Sequence, residues 1–249
     1  MSEIKDKLIT AESLKYVYDN INNRFQEFKD EELQLDSTLA DNNKAAPAGI
    51  VGEMKKQLND LMYEPIEITS LTNNVSTAEM GSTVNDVTIS WKTNKVPTVL
   101  TLDGASVDIT LTQKAFTNLG LTTNKSWTLV ATDERDATSQ KSTTLNFYNG
   151  IYYGAAPGTT YDSAFVLTLT KVLSGSKART FTANAGEGQY IYYCLPSRLG
   201  TPSFNVGGFD GGFSKVTSIS FTNNSGYTEN YDIWKSDNAN LGSSTVKVS

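Results

Sequence analysis

The period of the apolar residues changes near Pro65. Before this proline, apolar residues recur every three or four positions, as on one face of a helix. After it they alternate with polar residues, as along a half-buried strand. Proline disfavours the helical conformation in the residue before it and has no N–H to donate. The sequence therefore predicts a mainly β chain with an N-terminal α-helical stalk, residues 1–65, followed by β modules.

The first predicted helix begins after Thr10, a good N-cap residue. Several apolar residues then fall on one helical face, and Leu14, Ile21 and Phe28 are also seven residues apart, as in coiled coils. The segment offers few partners of its own that could bury this stripe. We therefore expect the helix to associate with copies of itself. Packing against the second helix of the same chain is the alternative.

The second predicted helix runs from about Ala48 to Met62. Pro47 suits a first helical turn, and a stripe of apolar residues recurs at helical spacing. We predict that the two helices form the oligomerisation region through Leu14, Val17, Ile21, Phe28, Val51, Met54 and Leu58.

The segment 66–149 carries the pattern of a β-sandwich. Val87, Ile89 and Trp91 alternate with polar residues, and Asp103-Gly104 is a strong hairpin signal. Several short strands with an early tryptophan are typical of immunoglobulin-like or fibronectin type III-like sandwiches. No cysteine pair is present, which favours the fibronectin-like variant.

The segment 150–249 is also predicted to be a β-sandwich. Strand patterns recur through it, including Gln189–Leu195 and Tyr231–Trp234, with turns rich in glycine and asparagine between them. The stretch Phe165–Leu169 fits either a strand or a short helix. The glycine-rich stretch Val206–Phe213 is predicted to be a loop.

Composition limits the classes of partner. The net charge is −6, which disfavours binding to nucleic acid. The single cysteine, Cys194, lies in an aromatic strand and is predicted to be a core residue rather than a reactive thiol. The charged start of the chain has no secretion signal, and no stretch is apolar enough to cross a membrane. We expect a protein that is made in a cytoplasm and not inserted into membranes.

Few residues suggest chemistry. The chain has no histidine, which removes the commonest general base and many metal sites. The acidic stretch Asp133–Asp136 could bind a hard cation, but a solvated hairpin tip is the simpler interpretation. Glu187 and Asp210 could form a glycosidase pair only at a separation that sequence does not give. The prediction is a non-enzymatic protein without metal or cofactor.

Aromatic residues are the better indication of function. They concentrate in the last hundred residues, and exposed aromatic rings stack on sugars and anchor interfaces. Core packing is the competing explanation for each of them. The candidate ligand contacts all lie in predicted loops: Phe209, Asp210, Phe213 and Tyr227.

Four stretches resemble a known group of proteins. Ile9–Leu14 opens a helix, and Leu35–Leu39 precedes Lys44-Ala45-Ala46. Glu79–Trp91 and Asn223–Tyr231 are the other two stretches. Together they resemble tail-fibre, baseplate-appendage and head-fibre proteins of phages and prophages of Gram-positive or gut bacteria.

This resemblance implies a location in a virion and a homotrimer attached to other virion proteins. It supplies no ligand-binding residue. The expected function is a structural appendage whose β modules bind a host-surface polysaccharide. The alternatives are a decoration protein without a receptor, a cellular carbohydrate-binding adhesin and a depolymerase.

Overall fold

The computed structural model describes residues 15–16, 18–26, 48–158 and 160–249. The chain divides into two compact units, Met1–Glu64 and Pro65–Ser249. Strands in several sheets make up most of the second unit, so the fold is mainly β, as the alternating pattern predicts.

The described part of the first unit is helical. Residues 15–16 and 18–26 are helical, and a second helix spans Ala48–Leu61. Ile21 is 39% exposed and Leu58 is 42% exposed, so both present apolar surface. Of the other predicted oligomerisation residues, Leu14, Val17 and Phe28 lie outside the described residues, as do the side chains of Val51 and Met54. The helical stalk stays a prediction.

Eight strands form the first sandwich: β1 (Ile68–Asn73), β2 (Thr77–Glu79), β3 (Val87–Thr93), β4 (Val99–Leu102), β5 (Ala105–Ser106), β6 (Gln113–Phe116), β7 (Lys125–Thr132) and β8 (Thr138–Tyr148). One sheet has the order β1-β3-β6 and the other β2-β8-β7-β4-β5. Strand β2 pairs in parallel with β8, whereas the remaining pairs are antiparallel. The first two strands of this module, β1 and β2, thus lie in different sheets, and the arrangement is immunoglobulin-like.

Alternation along the strands builds the first core. Val87, Ile89 and Trp91 of β3 point inward and are buried against Trp127 and Leu129 of β7 and their neighbours. The predicted hairpin is confirmed, because Asp103 and Gly104 connect β4 to β5. Their φ angles are 51° and 76°, the positive values that a two-residue hairpin turn needs.

Nine strands form the second sandwich: β9 (Gly150–Ala156), β10 (Thr170–Leu173), β11 (Arg179–Ala185), β12 (Tyr190–Pro196), β13 (Phe204–Val206), β14 (Phe209–Asp210), β15 (Phe213–Thr222), β16 (Thr228–Ser236) and β17 (Gly242–Val248). One sheet has the order β10-β9-β12-β16-β15 and the other β11-β17-β13-β14. A short helix, Ser163–Leu167, covers the first three residues of the undecided stretch Phe165–Leu169. Asp162 caps this helix by accepting a hydrogen bond from the Phe165 N–H.

The five-stranded sheet of this module is buried on both faces. Ile191 and Tyr193 of β12 pack toward the four-stranded sheet, while Tyr192 and Cys194 pack toward Val166 of the short helix. Burial raises the pKa of the Cys194 thiol well above its usual value, as expected for a core residue. Burial also raises the pKa of Tyr193 to about 12.

One carboxylate ties three elements of this module together. Asp232 Oδ1 accepts hydrogen bonds from Ser197 Oγ at 2.6 Å and Ser218 Oγ at 2.8 Å, and Lys215 Nζ lies 2.9 Å away. Burial alone would raise the pKa of Asp232, but these donors outweigh it and lower the pKa below its usual value.

The two sandwiches meet at a joint with almost no linker. Only Asn149, which is buried, separates β8 from β9, and its side-chain amide donates to Glu229. Asn223 Nδ2 donates to the Met80 carbonyl at 2.8 Å, and Lys171 Nζ lies 2.9 Å from Glu79 Oε2. These bonds cross from one module to the other and fix their mutual orientation.

Close packing reinforces the joint. An added Cβ on Gly81 would lie 2.6 Å from the Tyr227 Cβ, so only glycine fits there. Two of the stretches on which the resemblance rests, Glu79–Trp91 and Asn223–Tyr231, therefore contact each other where the modules join.

Candidate functional site: a pocket beneath a glycine-rich hairpin

The glycine-rich stretch forms a hairpin rather than a loop. Strands β13 and β14 pair through Asn205 with Asp210 and Val206 with Phe209, and Gly207-Gly208 make the turn. Gly207 and Gly208 have φ angles of 58° and 98°, which favour glycine, and an added Cβ would meet nothing within 4 Å. Glycine is therefore needed here for the backbone conformation and not for space.

A short chain of hydrogen bonds orients the polar side chains of the hairpin. The Gly208 N–H donates to Asn205 Oδ1 at 3.1 Å, and Asn205 Nδ2 donates to Asp210 Oδ1 at 2.7 Å. The first bond fixes which way the amide faces, and the second aligns the carboxylate with it. Lys247 lies directly opposite Asn205 on β17, so the three side chains form a row across three strands.

A cavity of 680 Å³ lies beside this row, within the size range of small-molecule sites. Three aromatic residues belong to its lining. Phe204 and Phe213 stack with ring centroids 4.3 Å apart, and Trp234 lies 5.6 Å from Phe204. The polar residues of the lining are Thr201, Ser203, Asn205, Asp210, Lys247 and Ser249, and Pro202 and Gly211 complete it. We call this cavity the hairpin pocket. A mixed polar and aromatic lining suits a ligand with both hydroxyl groups and C–H faces.

The structure separates the four predicted ligand contacts. Asp210 lines the hairpin pocket, whereas Phe209 stands 81% exposed at the hairpin tip and is not part of the lining. Phe213 begins β15 and is not in a loop; it is largely buried but belongs to the lining of the hairpin pocket, so its predicted ligand contact stays a prediction. Tyr227 is 38% exposed and belongs to the joint, against Gly81.

The predicted ligand contacts do not include Asn205, Lys247 or Trp234, although Trp234 is one of the aromatic residues concentrated in the last hundred positions. A local signal existed for Asn205, because alternation around Gly207-Gly208 places it across from Asp210 once a hairpin is assumed. No local signal could identify Trp234 or Lys247. They reach the pocket from strands that are distant in sequence.

The acidic turn is exposed at Glu134, Arg135 and Asp136, as the interpretation as a solvated tip predicts, but not at Asp133. Asp133 is buried, its Oδ2 lies 3.0 Å from Lys95 Nζ, and it also accepts from the Ile66 N–H at 3.0 Å. Glu134 on the outside pairs with the same lysine at 3.0 Å. Asp133 thus serves the fold, and among the described residues no three acidic, cysteine or histidine side chains gather as metal ligands.

A second cavity, of 450 Å³, lies in the first sandwich. Buried Trp91 and Leu100 belong to its lining, and Val96, Ile109 and Leu111 add exposed apolar side chains. Lys92 and Lys95 are the charged residues in its lining. The hairpin pocket offers more oriented polar groups, so it is the better candidate for a specific small ligand.

Comparison with known proteins does not place the chain in a family. No family model matches it, and no curated protein is similar to it. One similar structure contains the N-terminal eight Ig domains of Down syndrome cell adhesion molecule, isoform 1.30.30. Its sequence is 7% identical and its TM-score is 0.24, and the match covers 72% of this chain and 23% of that one. The chitinase ChiA74 from Bacillus thuringiensis is 13% identical with a TM-score of 0.24, over 82% of this chain and 30% of that one.

This chain thus spans less than a third of either protein. At TM-scores this low, neither likeness establishes a shared fold or function. Within the described residues, no helix has the length and apolar character needed to cross a membrane.

Proposed function

We propose that this protein is a non-enzymatic virion appendage that attaches to a polysaccharide on the host cell surface through the hairpin pocket. The observation that carries the proposal is the oriented Asn205–Asp210 pair beside a cavity lined with aromatic residues. Sites that bind sugars need both features, because a sugar presents hydroxyl groups and an apolar C–H face.

The rigid joint supports a role in presentation. Because Asn149 leaves almost no linker and hydrogen bonds cross the joint, the second sandwich is held at a fixed orientation to the first. A receptor-binding module loses less conformational entropy on binding when it is held in this way. The first sandwich then acts as a spacer. We propose that it is of the fibronectin type III-like variety.

The resemblance to phage tail-fibre, baseplate-appendage and head-fibre proteins supports the virion setting. The N-terminal helices would form a homotrimer and attach to other virion proteins. Exposed Ile21 and Leu58 are consistent with such an assembly, because apolar helix surface is stabilised by burial against a partner.

Binding of the full-length chain to an array of bacterial surface polysaccharides tests the receptor role. We expect saturable binding to one polysaccharide class. The absence of binding to any host envelope preparation would favour a decoration protein. Release of reducing sugar from a bound polysaccharide would contradict the non-enzymatic assignment.

The mass of the full-length chain in solution, measured by light scattering, tests the assembly. We expect the mass of three chains, and a monomer at micromolar concentration would overturn the trimer. The double variant Ile21→Asp, Leu58→Asp should dissociate the trimer without unfolding the sandwiches, which circular dichroism would show.

A further inference from the structure

We infer that the hairpin pocket recognises two neighbouring hydroxyl groups of an uncharged pyranose, one through the Asp210 carboxylate and one through the Asn205 amide. This inference rests on the proposed glycan-binding function and specifies the class of sugar. It follows from which polar atoms of Asn205 and Asp210 already form hydrogen bonds within the hairpin and which do not.

The hydrogen bonds within the hairpin leave a donor and an acceptor side by side. Asn205 Oδ1 is occupied by the Gly208 N–H, and one of the two amide hydrogens is occupied by Asp210 Oδ1. No described residue donates to Asp210 Oδ2. The second amide hydrogen and this oxygen therefore stay available next to each other.

This donor and acceptor match a 1,2-diol. A sugar hydroxyl can donate to the carboxylate oxygen while its neighbour accepts from the amide nitrogen. The 2.7 Å hydrogen bond between Asn205 Nδ2 and Asp210 Oδ1 holds the two side chains together, so that neighbouring hydroxyl groups can reach the free amide hydrogen and Oδ2. Because the pair is oriented before binding, little side-chain entropy is lost when the sugar binds.

The Asp210 carboxylate, and not the net charge of the pocket, disfavours an acidic sugar at the diol contact. The pocket lining has one carboxylate, on Asp210, and one ammonium group, on Lys247. A sugar acid that placed its charge near Asp210 would be repelled, whereas neutral hydroxyl groups can bond to both charged side chains. Trp234, which is partly exposed, provides aromatic surface for the C–H face of the ring.

The test uses the full-length chain and four probes in ligand-observed saturation-transfer NMR: the methyl glycosides of glucose, galactose, mannose and glucuronic acid. We expect at least one neutral glycoside to bind and the glucuronide to bind at least tenfold more weakly. Preference for the glucuronide, or binding of none of the four probes, would overturn the inference.

The variant Asp210→Asn locates the contact. The substitution keeps one oxygen that can accept from Asn205 but replaces the free Oδ2 by an NH2 group, which cannot accept. Affinity for the neutral glycoside should therefore fall about tenfold or more. Asp86→Asn is the control, because it makes the same change of charge at an exposed position in the first sandwich. Circular dichroism would show that both variants are folded.

Binding of deoxy sugars distinguishes loss of the Asp210 contact from a general loss of structure. Removing the hydroxyl that bonds to Asp210 should weaken binding to the wild-type chain about tenfold and leave binding to Asp210→Asn unchanged. Equal losses with both proteins at every hydroxyl position would overturn the inference. Polysaccharide binding that survives Asp210→Asn would leave the proposed receptor role standing and remove only the diol contact.

Discussion

Asp133 offers the sharpest test of how the first sandwich is held together. Its buried carboxylate accepts from three backbone N–H groups: those of Ile66 at 3.0 Å, Arg135 at 2.9 Å and Ala137 at 3.1 Å. Lys95 Nζ lies 3.0 Å from the same carboxylate. The side chain therefore fastens the start of the second unit to the turn between β7 and β8.

Asp133→Ala should destabilise the protein strongly. The substitution leaves backbone donors without an acceptor, and each unmade bond to a buried group costs about 1–3 kcal/mol. Loss of the ion pair adds little, because Lys95 is partly exposed and keeps Glu134 as its partner, so most of the cost comes from the three backbone donors. We expect a loss of about 3–5 kcal/mol, which lowers the unfolding temperature of a unit of this size by roughly 10 °C.

Urea and thermal unfolding of the full-length chain, followed by circular dichroism, measure this loss. Glu134→Ala is the matched control, because Glu134 pairs with the same lysine but is exposed and should leave the midpoint nearly unchanged. A loss for Asp133→Ala below about 1 kcal/mol would refute the reasoning, since that is the size of a surface ion pair alone.

Three further predictions concern packing and titration. Gly81→Ala should lower the unfolding temperature by roughly 5 °C, because its Cβ would meet Tyr227. Gly104→Ala has a similar positive φ in open space and should cost less; equal losses would remove the packing explanation. Cys194 should resist iodoacetamide until urea unfolds the chain, as followed by mass spectrometry, because its thiol is buried and its pKa is raised; labelling of the native chain would contradict its burial. Stability should fall as pH drops below about 4, because the pKa of Asp232 is lower in the folded chain than in the unfolded one, so its contribution is lost as pH falls through the folded value. Asp232→Asn should flatten this decline in urea midpoints measured against pH, and an unchanged profile would show that other groups dominate.

The joint between the sandwiches has a consequence for function. Because Asn223 and Glu229 of one module bond to Met80 and Asn149 of the other, loosening the joint should reorient the hairpin pocket without altering its lining. If the proposed function holds, Gly81→Ala should weaken attachment to a surface-bound polysaccharide more than binding of a free methyl glycoside.

Local pattern was enough to predict much of the architecture. The alternation of Val87, Ile89 and Trp91 identified a half-buried strand, because side chains of a strand point to opposite faces in turn. Asp103-Gly104 identified a hairpin, since these residues tolerate the positive φ angles of a tight turn. Such signals lie within a few residues of the structure that they predict.

The candidate site was only half visible in the sequence. Asp210 was found because it sits among glycines, but its partner Asn205 depends on the pairing of β13 with β14. Phe213 and Phe209 look alike in sequence, yet one is buried and the other exposed, because only Phe213 returns to the core at the start of β15. Burial of an aromatic side chain depends on what packs over it.

The sequence by itself determined the mainly β character of this protein, its strand alternation and its tight turns, because each follows from backbone preferences and spacing within a short segment. Only the tertiary structure decided that Asp133 is buried, that Met80 meets Asn223 and that Trp234 and Lys247 share a pocket with Asp210. These contacts join residues that are far apart in the chain. They form only when sheets pack together, and no local preference of the residues involved encodes them.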